Sequence, residues 1–337
     1  MRRKNVLLGA VLGVLPLVLG LFAICFGRYS IGIREVLACL APPLFPDVAV
    51  SDYMKTVVYN IRLPRVALAL ISGAGLSAAG AGFQGIFSNP MATPDTLGVA
   101  SGASFGAAFA ILLGWDIMAI QGMAIVFGGV AVLIAMSFVL KPVEGQSPVV
   151  MLILAGMVVG ALFSAMLSMV KYGADPQDVL PAITYWLMGS LTGTTFIRLA
   201  AGAPLILVGG VIIFVLRWRL NAMSLSDDEA KSLGVNVKRV RTLVIVACTM
   251  ITASVIAMCG QIGWVGLLIP HVSRMIFGND NRLVVPASFG LGSVFLLVTD
   301  TVARSASAAE IPVSILTALI GAPFFIFLLR RTGGVKS

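Results

Sequence analysis

Charge is scarce in this sequence: Asp, Glu, Lys and Arg make up 11% of its 337 residues, against 59% hydrophobic residues. With a mean hydropathy of +1.03, that composition excludes a water-soluble globular domain. There is one histidine, His271, so no histidine cluster can hold zinc and no Ser/His/Asp arrangement beside an aqueous pocket suggests itself. An intramembrane hydrolase is therefore a poor fit, and His271 reads as a helix-start or packing residue. No GxxxxGK[ST] occurs, so the chain has no P-loop for nucleotide phosphates. ATP and its Mg²⁺ have to be handled by a partner, and no cofactor is expected on this chain. The four cysteines, Cys25, Cys39, Cys248 and Cys259, lack CxxC spacing and read as small apolar packing residues, not as a metal or redox site. Intramembrane carboxylates, which a proton-coupled carrier needs, are few. Asp300 precedes Arg304 by four residues, which predicts an ion pair on one helix face. Asp95 follows Pro94 at a helix start, where a carboxylate satisfies free amides.

What the sequence has in abundance is long apolar runs, near residues 6–26, 66–86, 94–114, 117–140, 149–170, 200–217, 241–259, 262–277, 283–302 and 312–330. A spanning helix takes about 20 apolar residues, so these runs predict an all-α polytopic membrane protein of about ten spans, with residues 1–337 as one domain. The first run is too long for the hydrophobic region of a signal peptide and reads as an uncleaved span. Placing both termini in the cytoplasm puts most of the 23 Lys and Arg residues inside, among them Arg2, Arg3, Lys4, Arg217, Arg219, Lys231, Lys238, Arg239, Arg241, Arg330 and Arg331. The net charge of +9 thus reflects the positive-inside rule and not a nucleic-acid partner. Residues 180–197 are apolar but carry Pro181, Gly189 and Gly193. A crossing there would put the basic 217–241 loop outside, so the segment reads as a short re-entrant or surface helix. The 36 glycines, with the run from Gly73 to Gly82, suit close helix–helix packing in lipid. No internal repeat marks inverted halves.

Two polar features stand out. In the loop at about 218–240, Ser226 can cap a short helix, Asp227, Asp228 and Glu229 fill its first turn, Ala230 and Lys231 follow, and Leu233-Gly234 can close it. It is either a connector or a docking element for a soluble partner. On the other side, Arg62-Leu63-Pro64-Arg65 enters the second span and Arg304 leaves the ninth, giving three guanidiniums suited to carboxylates or to interfacial snorkelling.

Several segments together resemble the FecCD family of ABC importer permeases, which carry ferric siderophores, haem and cobalamin. They are Ile61-Arg62-Leu63-Pro64-Arg65, Gly80-Ala81-Gly82-Phe83-Gln84, Asn89-Pro90-Met91-Ala92-Thr93-Pro94, Leu97-Gly98-Val99, Gly260-Gln261-Ile262-Gly263-Trp264-Val265-Gly266-Leu267 with Pro270-His271 and Arg274, and Asp300, Arg304, Glu310, Pro312 and Gly321-Ala322-Pro323-Phe324-Phe325. The order and spacing cover most of the chain. The resemblance implies a cobalamin-permease-like fold and a homodimer in a bacterial or archaeal cell (inner) membrane. It also implies two cytoplasmic ABC ATPase subunits and a periplasmic or lipid-anchored substrate-binding protein. By the same resemblance Ser226, Asp227, Asp228, Glu229, Ala230, Lys231, Leu233 and Gly234 couple to the ATPase, and Arg62, Arg65 and Arg304 meet acids of the binding protein. Asn89, Met91, Ser147 and Pro148 form a cytoplasmic gate, and Met151, Met157 and Ser164 line a pathway. Met91 stands where the family usually has Leu, and Thr93 where an acid is common. The expected cargo is a metal chelate: a ferric siderophore first, since that is the family's commonest cargo, with haem, cobalamin or a metal oxyanion as alternatives. A stand-alone secondary transporter is the competing reading, and an ATPase partner separates the two.

Overall fold

The computed structural model describes residues 8–27, 29–138, 148–307 and 310–332, and among these every regular element is helical. In chain order the principal helices are α1 (Leu15–Cys25), α2 (Ile33–Leu40), α3 (Leu63–Phe87), α4 (Val99–Leu112), α5 (Ile117–Ser137), α6 (Pro148–Gly173) and α7 (Val179–Leu187). They continue with α8 (Phe196–Leu216), α9 (Asp227–Ser232), α10 (Val237–Cys259), α11 (Val265–Phe277), α12 (Asn281–Ala306) and α13 (Val313–Thr332).

Among the described residues six helical stretches are long and apolar enough to cross a membrane: Asp52–Phe87, Ile117–Ser137, Val149–Gly173, Phe196–Leu216, Val237–Cys259 and Asn281–Ala306. Four shorter apolar helices, Leu12–Cys25, Val99–Leu112, Val265–Phe277 and Val313–Phe327, stand where the sequence has its other apolar runs. Two of these, α4 and α11, begin late for a backbone reason. Gly98 at φ 78° precedes α4, and Gly260 and Trp264, both at φ 71°, precede α11, and a left-handed residue cannot sit inside a right-handed helix. His271 accordingly lies well inside α11, one residue after Pro270, and not at a helix start. Residues 180–197 hold the nine-residue α7 followed by a non-helical stretch before α8. At 1.5 Å per residue that helix is roughly 13 Å long, too short to span.

The second apolar run corrects the expected boundary. Its helix begins at Asp52, not at 66, and runs 36 residues. Ser51 caps it through the Met54 amide at 3.2 Å, and residues Val57–Arg62 widen to π geometry directly before Pro64, where a residue without an N–H has to be accommodated. Arg62 and Arg65 therefore lie within a continuous helix.

That helix is the axis of the bundle. α3 packs against α8, α10, α11 and α12, and most of its 25 residues are buried. Its glycines set the spacing: a Cβ on Gly73 would fall 2.2 Å from the Gly292 carbonyl oxygen of α12, and one on Gly80 would fall 1.8 Å from the Gly266 carbonyl oxygen of α11. Ser77 adds a bond across the same crossing, its hydroxyl donating to the Ser288 carbonyl at 2.6 Å. Because α3 runs about 37 Å at 1.5 Å per residue, the two polar features sit at opposite ends of it.

Candidate functional site

At the C-terminal end of α3 the helix stops at Ser88, a non-glycine residue in the left-handed region (φ 47°). Its hydroxyl donates to the Met223 carbonyl at 3.0 Å, tying the helix end to the loop that follows α8. The next residues, expected at a gate, form a turn: Asn89 Oδ1 accepts from the Met91 amide at 2.9 Å, and Met91 is 55% exposed. Pro148 begins α6. Ser147 lies outside the described residues.

The loop helix forms as its sequence dictates. Ser226 Oγ accepts from the Glu229 amide at 3.4 Å and Glu229 Oε2 accepts from the Ser226 amide at 3.0 Å, a reciprocal capping box. The Ser226 hydroxyl and amide hold the Glu229 carboxyl below the usual range. Lys231, bonded to Asp228 at 2.9 Å, is held above its ordinary value by that bond and the carboxylate's charge. Asp227 pairs with Arg241 of α10 at 3.2 Å, which orients α9 on the bundle, and Gly234 closes the turn at φ 79°. Ala230 is buried against the bundle, while Leu225 and Leu233 stay exposed. The result is a rigid helix with an acidic and apolar outer surface.

The same end holds residues to which no sequence spacing pointed. Asn221 Nδ2 donates to Asp280 Oδ1 at 2.7 Å, and Asn221 Oδ1 accepts from the Asn281 amide at 2.8 Å. Burial pushes the Asp280 carboxyl up, but the Asn221 amide, the Arg282 amide and the Arg282 guanidinium outweigh it and leave it lowered. A cavity of about 390 Å³ opens between the segments, lined by Gln84, Ser88, Asn89, Asn221, Arg274 and Asn281 among others. The Arg274 guanidinium donates to the Gln84 side-chain oxygen.

At the other end, Arg62, Arg65 and Arg304 are brought together but turned inward, each buried. Arg65 grips Asp300 through Nε (3.1 and 3.0 Å) and Nη2 (2.8 Å), and reaches Glu310 through Nη1 at 3.0 Å. The expected i,i+4 pair is present, with Arg304 Nε 4.0 Å from Asp300, but the closer partner of Asp300 is Arg65. Arg62 donates to the Ile24 and Cys25 carbonyls at 2.6 and 3.1 Å and to the Tyr29 carbonyl, and Arg304 donates to the Ala23 carbonyl. These bonds fasten the end of α1 to α3 and α12. Glu310 also accepts from the Thr192 hydroxyl at 2.5 Å, joining the stretch after α7 to the same cluster.

The residues expected to line a pathway fall on α6. Met157 is 53% exposed, Met151 is half-buried, and the exposed Ser164 donates to Ser101 Oγ of α4 at 3.3 Å. Among the described residues no group of three or more His, Cys, Asp or Glu could hold a metal ion.

Comparison with known proteins places this arrangement. Residues 15–331 match the FecCD transport family. The molybdate import system permease protein MolB of Haemophilus influenzae is 38% identical over 325 residues, 96% of each chain. The cobalamin import system permease protein BtuC of Halobacterium salinarum is 38% identical over 281 residues, 83% of this chain and 75% of the relative. A solved structure described as the inward-facing conformation of a metal-chelate type ABC transporter superposes with a TM-score of 0.87 at 37% identity, covering 97% of this chain and 99% of that one. With a match of that extent from residue 15 to residue 331, this chain belongs to the FecCD transport family of multi-pass ABC-transporter permeases.

Proposed function

We propose that this chain is the transmembrane subunit of an ATP-driven importer for a metal chelate, with a ferric siderophore as cargo. In this reading the six long and four shorter apolar helices form ten crossings. Both termini face the cytoplasm, two copies enclose a central path, two ABC ATPases bind the inner face, and a substrate-binding protein delivers cargo to the outer face. The observation that carries the reading is the whole-chain superposition on a metal-chelate type transporter. Relatives whose names specify cobalamin, iron chelatin, ferric citrate and hemin import support the chelate class. A second reading, a bare molybdate cargo, is favoured by MolB, whose likeness covers 96% of both chains.

In this mechanism α9 is the docking element. Its capping box fixes the helix without help from a partner, and the exposed Leu225 and Leu233 with the acidic first turn offer a surface to an ATPase cleft. The gate is formed by Asn89 and Met91 together with Ser147 and Pro148, and Met151, Met157 and Ser164 line the path with soft, weakly adhesive contacts. A docking role for the arginines requires carboxylates of the binding protein to exchange with Glu310 and with the carbonyls that Arg62 and Arg304 now hold. Glu310, the partly exposed member of the cluster, is the acid they would displace first.

The affinity-purified chain is expected to bring down an ATPase in equimolar ratio, and deletion of residues 227–233 to abolish that association. Transport by the chain alone in nucleotide-free vesicles would establish a secondary carrier instead. Cargo follows from uptake of labelled ferric siderophore, cobalamin and molybdate in cells lacking the chain and in complemented cells. Restoration of iron uptake alone fits the proposal, and restoration of molybdate uptake alone overturns the chelate reading.

A further inference from the structure

The docking loop, the gate turn and the turn between α11 and α12 come together at one end of the bundle, where the buried Leu220 of the loop packs against Gly85 of α3. Beside that contact is the 390 Å³ cavity, lined by Ser88, Asn89, Asn221, Arg274 and Asn281 among others. Side-chain hydrogen bonds join the segments. Ser88 at the end of the gate helix donates to the Met223 carbonyl of the docking loop. Asn221 of that loop donates to Asp280 and accepts from the Asn281 amide at the start of α12. Asn281 is 7% exposed, and its Oδ1 has no hydrogen-bond partner among the described residues. Where a small packed contact is flanked by directional bonds, a shift of one segment is carried to the others through those bonds.

We infer that Asn221 and Ser88 are positioning residues that transmit movement of the docking loop to the gate, Asn221 through α12 and Ser88 directly through the end of α3. The inference rests on the importer reading and adds to it the residues through which the ATPase would act. Ser88 is suited to this because its left-handed backbone is tolerated only while the surroundings hold it, and its one side-chain bond outside the gate turn goes to the docking loop. Asn221 is suited because both halves of its amide are engaged by a single turn, so a displacement of the loop cannot leave Asp280 and Asn281 where they are.

The test uses the chain in complex with its ATPase in proteoliposomes and needs no cargo. Of the four native cysteines three are buried and Cys25 is half-buried, so a Met91→Cys gate probe reads maleimide labelling against a low background. In the parent carrying the probe, labelling is expected to differ between the nucleotide-free and the ATP-vanadate-trapped complex. Asn221→Asp sets a carboxylate against Asp280, and replacing a bond to a charged acceptor by repulsion shifts a coupled equilibrium by roughly tenfold or more. The nucleotide-dependent difference at the gate should then be lost while vanadate still traps nucleotide. Asn221→Asp combined with Asp280→Asn exchanges donor and acceptor, keeps an Asn cap on α12, and should restore the difference, which a merely structural defect would not. Ser88→Ala, which removes one hydroxyl, should weaken the difference and covers the case in which Asn221→Asp fails to assemble. A parent with no nucleotide dependence overturns the importer reading itself. A parent that has it, with Asn221→Asp and Ser88→Ala unchanged, overturns this inference alone.

Discussion

Arg65 holds two carboxylates that reach it from distant parts of the chain, Asp300 on α12 and Glu310 beyond it. Asp300 is fully buried, so its charge is tolerable only with the guanidinium against it. Removing one partner of a buried pair costs about 3–5 kcal/mol, whereas replacing both by apolar groups is often neutral. Arg65→Met is therefore expected to lower the thermal midpoint of the purified chain sharply, and Arg65→Met with Asp300→Leu to recover most of the loss. Glu310 tolerates the change because it keeps the Thr192 hydroxyl and is partly exposed. Equal loss in the single and double variants would show that the ion pair is not what stabilises this end. The cluster also marks where sequence reading stops. Asp300 and Arg304 are four residues apart and look paired on a helical wheel, while Arg65 is 235 residues away and only the crossing of α3 and α12 brings it in. By contrast, the Ser226–Glu229 capping box was fully legible, because every atom it needs lies within one turn of helix.

At the level of elements, the run of small residues from Gly73 to Gly82 announces close packing but not which glycine does it. The structure separates them. Gly80 leaves no room for any side chain against the Gly266 backbone, whereas Gly122 on α5 has open space where a Cβ would go. Overpacking costs about 1–3 kcal/mol even where side chains can yield, and here the obstacle is backbone. At an open helical site, alanine is worth up to about 1 kcal/mol over glycine. Gly80→Ala is thus expected to reduce the yield and thermal midpoint of monodisperse chain, and Gly122→Ala to hold or raise them. Similar behaviour of the two variants would refute the close crossing of α3 and α11. The long helices were readable from apolar runs, while the short α2 was not. The early start at Asp52 and the late starts of α4 and α11 were not, since they depend on a π segment and on left-handed residues that composition does not register.

Across the whole molecule, several long apolar surfaces lack a protein neighbour, and one of them is the stripe of α6 formed by Val150, Leu154, Met157, Val158, Leu162 and Met169, each about half exposed or more. The opposite side of α6 is pressed against the chain, with Gly156 so close to the Thr96 carbonyl that a Cβ would fall 2.2 Å from it. Apolar exposure alone suits lipid as well as a second copy. Hydroxyls on the exposed surface, Ser164 and Ser168, take their partners within the chain, Ser101 Oγ and the Ser164 carbonyl, as polar atoms in membrane helices do. The proposed homodimer puts this stripe along the path, and a bulky residue there obstructs passage without touching the docking loop at the far end of α8. Met157→Trp is therefore expected to cut uptake of whichever labelled cargo the parent carries by about tenfold, comparable to an overpacking cost of 1–2 kcal/mol in a close-fitting channel. ATPase association should be retained. Were Met157 to face lipid, tryptophan would be accommodated at no cost and uptake would stay at the parent level, removing α6 from the path and leaving the membership of the family untouched.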